Sequence, residues 1–358
     1  MKFLPKVLCQ GLSWELLLRK IRFMKYAVIT LNRNNPQVNL VEFSEDQSSS
    51  TVVKKWSYPN EFFDMKASPH DPSLFLAETG VVAGGGKSSR VVSILSFPAD
   101  SDSDSISMLQ ELVRKETEAK SIFWESGENV VVGSSSGLAV YRLDSGSHCV
   151  SSTRTLQTQE CTAAVADPHH PFSIAFSENR SLSLWDFRTK EASLTLKTSH
   201  FFPIRSIDAN PNLENIFVTG GEDGRMMFWD VRKPLGTFPL KSVDSHAHHV
   251  TGVKFHPIHD QLVLSCGTDC AVNLWKYRSI SSSPAKGKPL VEIPQRRYST
   301  TPVDTGTELD DKLIQQSYGH EDSVFRICWS GWSFASASKD GTVMFNSVAA
   351  SEKYSIML

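Results

Sequence analysis

The chain has 358 residues, 40% hydrophobic and 21% charged, with a formal net charge of −2. That balance is an ordinary globular one and gives no electrostatic reason to bind nucleic acid or an anionic membrane surface. No stretch approaches the ~18 unbroken apolar residues of a spanning helix, and the six cysteines (Cys9, Cys149, Cys161, Cys266, Cys270, Cys328) contain no Cys-x-x-Cys pair, so reduced thiols of an intracellular protein are expected.

The chain opens Met1-Lys2-Phe3-Leu4-Pro5-Lys6-Val7. Pro5, Lys6 and Gln10 break this apolar run, and no small-residue cleavage site follows cleanly, which argues against a signal peptide. Leu12 to Leu18, with Trp14, is expected as a strand. Phe23 to Thr30 and Val38 to Phe43 read as strands around an Asn32-Arg33-Asn34-Asn35-Pro36 turn. Phe62 to Ala67, Leu74 to Ala77 and Val91 to Phe97 make a second unit, with a long turn from Gly80 to Ser89. That turn contains Gly84-Gly85-Gly86-Lys87-Ser88, which resembles the end of a phosphate-binding loop. The full motif needs glycine at position 81, which is Val81, and a helix afterwards. Val91-Val92-Ser93-Ile94-Leu95 reads instead as a strand, so the glycines are expected at a hairpin tip. Residues 98–120 read as an acidic loop and connection, with Asp100-Ser101-Asp102-Ser103-Asp104-Ser105 a solvated tract. Strand-rich units around Trp124, Trp185, Trp229 and Trp275 follow. Residues 279–311, rich in Ser, Pro, Lys, Thr and Asp, read as a disordered insertion before the last unit.

These units repeat. Thr219-Gly220-Gly221-Glu222-Asp223-Gly224-Arg225-Met226-Met227-Phe228-Trp229-Asp230 pairs an Asp-Gly turn with a strand ending in Trp-Asp. The turn is expected to be a two-residue primed turn with positive φ at both central positions. Ser135, Asn179, Asp223, Asp269 and Asp340 align at the turn, and Tyr141, Trp185, Trp229, Trp275 and Asn346 align six positions on. Upstream stand Trp124-Glu125, Asp167-Pro168, Asn210-Pro211 and His256-Pro257, and a histidine column holds His200, His246 and His320. A period of about 40–45 residues carrying His, turn Asp and Trp-Asp resembles the WD40 family. The resemblance implies an all-β fold, a seven-bladed WD40 β-propeller forming a single domain over 1–358. It also implies that a strand within residues 1–20 completes the last blade and closes the ring.

In that family a buried polar chain ties each blade together: His to turn Asp, a Ser or Thr on the second strand, and the Trp indole N–H. The matching sets are His200, Thr219, Asp223 and Trp229, and His246, Ser265, Asp269 and Trp275. In the last blade His320, Ser336 and Asp340 match, but Asn346 stands where Trp is expected. These histidines therefore read as structural. The group His246, His248, His249, His256 and His259 is dense enough to raise a metal site, but His246 belongs to the network and His256-Pro257 to a repeat column. No catalytic set, metal or cofactor is expected. The propeller top is expected to present Pro203, His249 and Ser323, with Glu222, Thr268 and Lys339, a mixed set suited to protein recognition and lacking an Arg/Lys stripe.

Several stretches are similar to the WD-repeat proteins that interact with the EARP and GARP tethering complexes. They are Pro59-Asn60-Glu61-Phe62-Phe63-Asp64, His256 to Trp275, His320-Glu321-Asp322-Ser323-Val324-Phe325, Phe334-Ala335-Ser336-Ala337-Ser338-Lys339-Asp340-Gly341 and the Lys353-Tyr354 tail with its apolar end. The sequence departs from that pattern in its short, altered N-terminus and its glycine-rich tip at 84–86. The resemblance implies a monomeric, non-enzymatic adaptor, cytoplasmic and peripheral at endosomes and the trans-Golgi network. Its partners would be tether subunits, and it would support endosomal recycling and endosome-to-Golgi retrieval. An alternative comes from Trp185-Asp186-Phe187-Arg188 and Trp229-Asp230-Val231-Arg232. These boxes resemble those of WD40 substrate receptors of cullin–RING ubiquitin ligases, where Arg188 and Arg232 would meet the ligase adaptor. A third class is a receptor for a peroxisomal targeting signal.

Overall fold

A computed structural model describes residues 6–11, 23–31, 36–44, 49–71, 73–82, 88–97, 106–115, 119–126, 128–144, 149–158, 161–232, 238–282 and 311–357. Seven antiparallel sheets follow one another along the chain. Blade 1 holds β1 (Lys6–Gly11), β2 (Phe23–Leu31), β3 (Gln37–Ser44) and β4 (Ser49–Ser57). Blade 2 holds β5 (Glu61–Ala67), β6 (Leu74–Val82), β7 (Ser88–Ser96) and β8 (Ser107–Lys115). Blade 3 holds β9 (Ser121–Trp124), β10 (Asn129–Ser134), β11 (Gly137–Leu143) and β12 (Val150–Gln157). Blade 4 holds β13 (Cys161–Ala166), β14 (Ser173–Glu178), β15 (Ser181–Asp186) and β16 (Leu194–Lys197). Blade 5 holds β17 (Ile204–Ala209), β18 (Ile216–Gly221), β19 (Arg225–Asp230) and β20 (Lys241–Asp244). Blade 6 holds β21 (Val250–Phe255), β22 (Leu262–Gly267), β23 (Val272–Lys276) and β24 (Lys312–Ser317). Blade 7 has three strands among the described residues, β25 (Val324–Ser330), β26 (Ser333–Ser338) and β27 (Val343–Ser347), and a short helix α1 (Ala350–Met357) follows it.

The first strands of the blades lie side by side in a ring, β1 beside both β5 and β25. The second strands are sandwiched between neighbouring blades: β10, β18, β22 and β26 are buried along their whole length. A strand covered on both faces reads as a continuous apolar or small-residue run rather than an alternation, as Leu262-Val263-Leu264-Ser265-Cys266-Gly267 shows. Seven apolar clusters fill the seven gaps between adjacent blades. One of them, between Tyr26, Val28, Val41 and Phe43 of blade 1 and Ala335, Ala337, Val343 and Phe345 of blade 7, joins the ends of the chain. Phe43 stacks on Phe345 at 5.4 Å.

β1 pairs with β2, from Lys6 opposite Leu31 to Gly11 opposite Tyr26, and is the innermost strand of its own blade. Among the described residues the ring is closed by apolar packing between blades 1 and 7 and by β1 lying against β25. Leu12 to Leu18 lies outside the described residues, as do Asn32 to Asn35, Gly84 to Lys87, Asp100 to Ser105 and residues 283–310. Two expected loops carry strand. β6 runs on to Val82 and β7 starts at Ser88, and this strand stands where a phosphate loop would need a helix. β8 falls within 98–120, where Ser107-Met108-Leu109-Gln110-Glu111-Leu112-Val113-Arg114-Lys115 has the residue types of a helix but takes its shape from pairing with β7. The insertion before blade 7 is held at its base: Lys241 Nζ lies 2.5 Å from Asp311 Oδ2, and the Ser279 amide donates to Asp311 Oδ1 at 3.0 Å.

Candidate functional site: blade networks and the top rim of blades 5 to 7

The turn at Asp223 is not the primed kind. Gly224 carries the positive φ, 74°, and Asp223 does not. The Gly224 amide donates to the Gly221 carbonyl, so the turn spans Glu222-Asp223-Gly224. This extra residue lets the carboxylate turn back under the loop, where Asp223 accepts from the Phe201 and Arg225 amides at 3.1 Å each. In blade 6 Cys270 takes the left-handed position with φ 66°.

The polar chain then runs inward. His200 Nδ1 lies 2.9 Å from Asp223 Oδ2, its Nε2 2.7 Å from Thr219 Oγ1, and the Trp229 indole donates to Thr219 Oγ1 at 2.8 Å. With the His200 proton on Nδ1, each donor has an acceptor in one direction: Trp229 to Thr219, Thr219 to His200, His200 to Asp223. Blade 6 repeats it: His246 to Asp269 at 2.9 Å, His246 to Ser265 at 2.9 Å, Trp275 to Ser265 at 2.9 Å. Gly221 and Gly267 are needed beside these histidines. A Cβ on either would stand 2.5 Å and 2.8 Å from the His200 and His246 Nδ1 atoms. Burial opposes ionisation of Asp223 and Asp269, yet the histidine bonds and backbone donors hold both carboxyls below the usual carboxylate range.

Blade 7 departs at two positions. Its register puts Ser338 where the other two blades have glycine. Here His320 Nδ1 bonds Thr342 Oγ1 at 2.9 Å while Asp340 stands off at 3.7 Å. Asn346 replaces the tryptophan, and its Nδ2 is buried with no hydrogen-bond partner among the described residues. His320→Ala is therefore expected to cost about 1 kcal/mol less than His246→Ala, the worth of roughly one net hydrogen bond. Urea unfolding of the two variants checks this, and equal losses would contradict it.

The connections bearing the histidines and the hairpin turns bearing the aspartates share one end of each blade. The amides of Glu222, Thr268 and Lys339 donate to the carbonyls of Pro203, His249 and Ser323 at 3.0, 2.9 and 2.9 Å. All six rim residues expected from the repeat thus meet in pairs. Glu222 is ion-paired with Arg205, and Lys339 lies 3.8 Å from Asp322. Arg188 and Arg232 lie at the opposite end. Each guanidinium folds back on the Asp of its own box, Arg188 on Asp186 at 2.6 Å and Arg232 on Asp230 at 2.9 Å.

Sequence reasoning passed over the apolar part of this rim. Phe201 and Phe202 follow His200 directly and are 64% and 57% exposed, Tyr318 precedes His320 by two residues, and Phe325 is the second residue of β25. Arg225 covers one face of Phe201 at 5.4 Å. The inner strands of five blades share an irregularity at their first turn of register, at Phe63, Thr162, Arg205, Thr251 and Phe325. A bulge re-aims one side chain. Thr162 and Thr251 use it to bond the carbonyls of Ile204 and Val324 in the next blade, whereas Phe325 stays exposed. The legible signal was an aromatic, Phe63 and Phe325, in a column that elsewhere holds Thr or Arg.

No group of three or more His, Cys, Asp or Glu is placed to hold a metal ion among the described residues. His256 is committed elsewhere. Its Nδ1 accepts from the Ile258 and His259 amides at 3.1 and 3.0 Å, its Nε2 donates to the Gly331 carbonyl at 2.9 Å, and it packs on Trp329 and Trp332. The five described cysteines are free, and burial pushes the Cys161 and Cys266 thiols up to about 12. A buried thiol at that value is not a nucleophile.

Seven meander sheets in a ring, with His-Asp-Ser/Thr-Trp networks in two blades, define a WD40-type β-propeller. Residues 311–345 match the WD domain, G-beta repeat. Residues 20–275 match the EIPR1 beta-propeller, and the chain belongs to that family. It is 33% identical over 205 residues to EARP-interacting protein 1 of Caenorhabditis elegans, covering 56% of this chain and 55% of that protein. It is 34% identical over 198 residues to EARP and GARP complex-interacting protein 1 of Homo sapiens, covering 53% of this chain and 50% of the relative. It is 26% identical over 329 residues, 89% of this chain and 88% of the relative, to WD repeat-containing protein DWA2 of Arabidopsis thaliana.

Proposed function

We propose that this protein is a non-enzymatic adaptor for the EARP and GARP tethering complexes, cytoplasmic and peripheral at endosomes and the trans-Golgi network, supporting recycling and endosome-to-Golgi retrieval. The observation that carries the partner is the family and its relatives named for those complexes. What supports the surface is the top rim of blades 5 to 7. Exposed aromatics rimmed by charged and polar groups on rigid turns are what protein recognition uses, and binding energy concentrates in a few such anchors.

The test is co-purification with purified tether complex. Phe202→Ala combined with Phe325→Ala is expected to weaken capture at least about tenfold, as loss of two anchors does. The unfolding midpoint should hold, since exposed side chains contribute little to stability. Lys339→Glu should weaken capture by a smaller factor. If the wild-type chain captures no tether subunit, the adaptor reading fails. If capture is unchanged in all three substitutions, the surface lies elsewhere.

A further inference from the structure

The Trp-Asp-x-Arg box changes sign in blade 6. Blades 4 and 5 carry Asp186 with Arg188 and Asp230 with Arg232, each a pair that neutralises itself. The same column in blade 6 reads Trp275-Lys276-Tyr277-Arg278. Two cations cannot pair with each other, and Lys276 is 1% exposed. A buried ammonium needs a carboxylate and further hydrogen-bond acceptors. Both come from α1. Lys276 Nζ donates to Glu352 Oε2 at 3.1 Å and to Ser355 Oγ at 2.8 Å. Lys312, opposite Lys276 in the ladder between β23 and β24, lies 3.2 Å from Glu352 Oε1. Arg278 Nη2 donates to the Ser355 carbonyl at 3.1 Å.

Residues three and four apart share a helix face, so Glu352, Ser355 and Ile356 meet the blades together. Ile356 packs in the gap between blades 6 and 7. A helix of eight residues does not hold its shape alone, so these contacts place it. Among the described residues Glu352 is the one carboxylate bonded to Lys276 and Lys312. Two ammonium groups thus share one anion, and the buried one points its remaining bond at a hydroxyl, which is a weaker acceptor than an anion.

We propose that Ser355 is the substrate of a protein serine kinase, and that its phosphate locks α1 onto blade 6. The γ-phosphorus of ATP bonds to Ser355 Oγ, its bond to the bridging oxygen breaks, ADP leaves with that electron pair, and the hydroxyl proton passes to the kinase's base. The product carries about −1.5 to −2 charge and three strong acceptor oxygens. Lys276 and Arg278 already reach this residue, so the new acceptors stand beside charged donors. The last turn of a helix opposes an added anion, but by less than one hydrogen bond to a charged group contributes. The kinase reaches Ser355 when α1 lifts off, an opening that costs little for a short peripheral element with few apolar contacts. Tyr354 beside it is already 69% exposed. The site is independent of the adaptor reading.

The test uses the full chain with phosphoserine placed at 355 during translation. Phosphorus NMR is expected to give a second phosphate pKa about one unit below the ~6 of a free phosphoserine, because neighbouring cations favour the dianion. Arg278→Ala combined with Lys312→Ala should return it towards ~6. Amides 352 to 357 are expected to exchange at least about tenfold more slowly than in the unmodified chain. A phosphate pKa at ~6, or α1 amides that exchange as fast as before or faster, overturns the lock. The modification itself is read by mass spectrometry of the chain isolated from its own cells with phosphatases inhibited. Phosphate on Ser355 is expected, and a chain recovered with α1 wholly unmodified overturns the assignment.

Discussion

Trp229→Ala is expected to lower the free energy of unfolding by about 3–5 kcal/mol, the range for emptying a large buried aromatic site. Trp229 is 1% exposed and packs in the apolar cluster between blades 4 and 5 with Ile207, Phe217, Met227 and Val231. Its indole also starts the polar chain through Thr219 and His200 to Asp223. Removing it opens a cavity and deprives Thr219 of a donor at once. Trp229→Phe separates the two effects: most of the volume stays, the N–H goes, and the expected cost is about 1–3 kcal/mol. Trp185 is the comparison. It is as deeply buried, but its indole donates to the Thr189 carbonyl outside any blade network. Trp185→Phe should therefore cost less than Trp229→Phe. Urea unfolding at unchanged slope measures all three, and equal costs for the two phenylalanine variants would refute the network's contribution.

Acidification from pH 6.5 to about 4 is expected to remove about 3 kcal/mol of stability through His256. Burial, outweighing the bond to Gly331, pushes this imidazole down from 6.5 to about 4. The folded state thus holds it neutral where the unfolded chain would protonate it. Its contribution is complete above pH 6.5, shrinks as pH falls below that value, and is exhausted below about 4, where both states bind the proton. The neighbouring His259 is also lowered by burial and adds in the same direction. The repeat itself supplies the control. In blade 5 the same column holds Asn210, whose Oδ1 accepts from the Asn212 and Leu213 amides as His256 Nδ1 does from its own loop. His256→Asn keeps that cap and removes the titrating ring. It should be less stable than wild type at neutral pH, for want of the Gly331 bond and the tryptophan contacts, and should lose less stability between pH 6.5 and 4. A variant with the wild-type pH profile would disprove the assignment. Aspartates act lower on the scale. Burial opposes ionisation of Asp340, but bonds from Thr342, Glu321 and Ser338 hold its carboxyl at about 2, so its share is lost only as pH falls from 3.8 towards 2.

The sequence by itself determined the blades and their networks, because both are local. A hairpin turn, a strand pattern and a His-Asp-Thr-Trp set fall within one repeat, so the WD40 resemblance, aligned on the repeat, implied the partners of His246, Ser265, Asp269 and Trp275. It also marked the break at Asn346. What lay between blades was decided by tertiary structure, because those contacts join residues with no fixed spacing. Arg326 meets Asp64 across the ring at 3.3 Å, 262 positions apart. The aromatics of the top rim, Phe201, Phe202 and Phe325, look apolar enough for a core, and the bulge and loop geometry puts them in solvent. The resemblance alone suggested a closing strand within residues 1–20, and nothing local in the sequence showed where β1 would pair. It joined blade 1 because the register with β2 and the ring position beside β25 satisfy its backbone there.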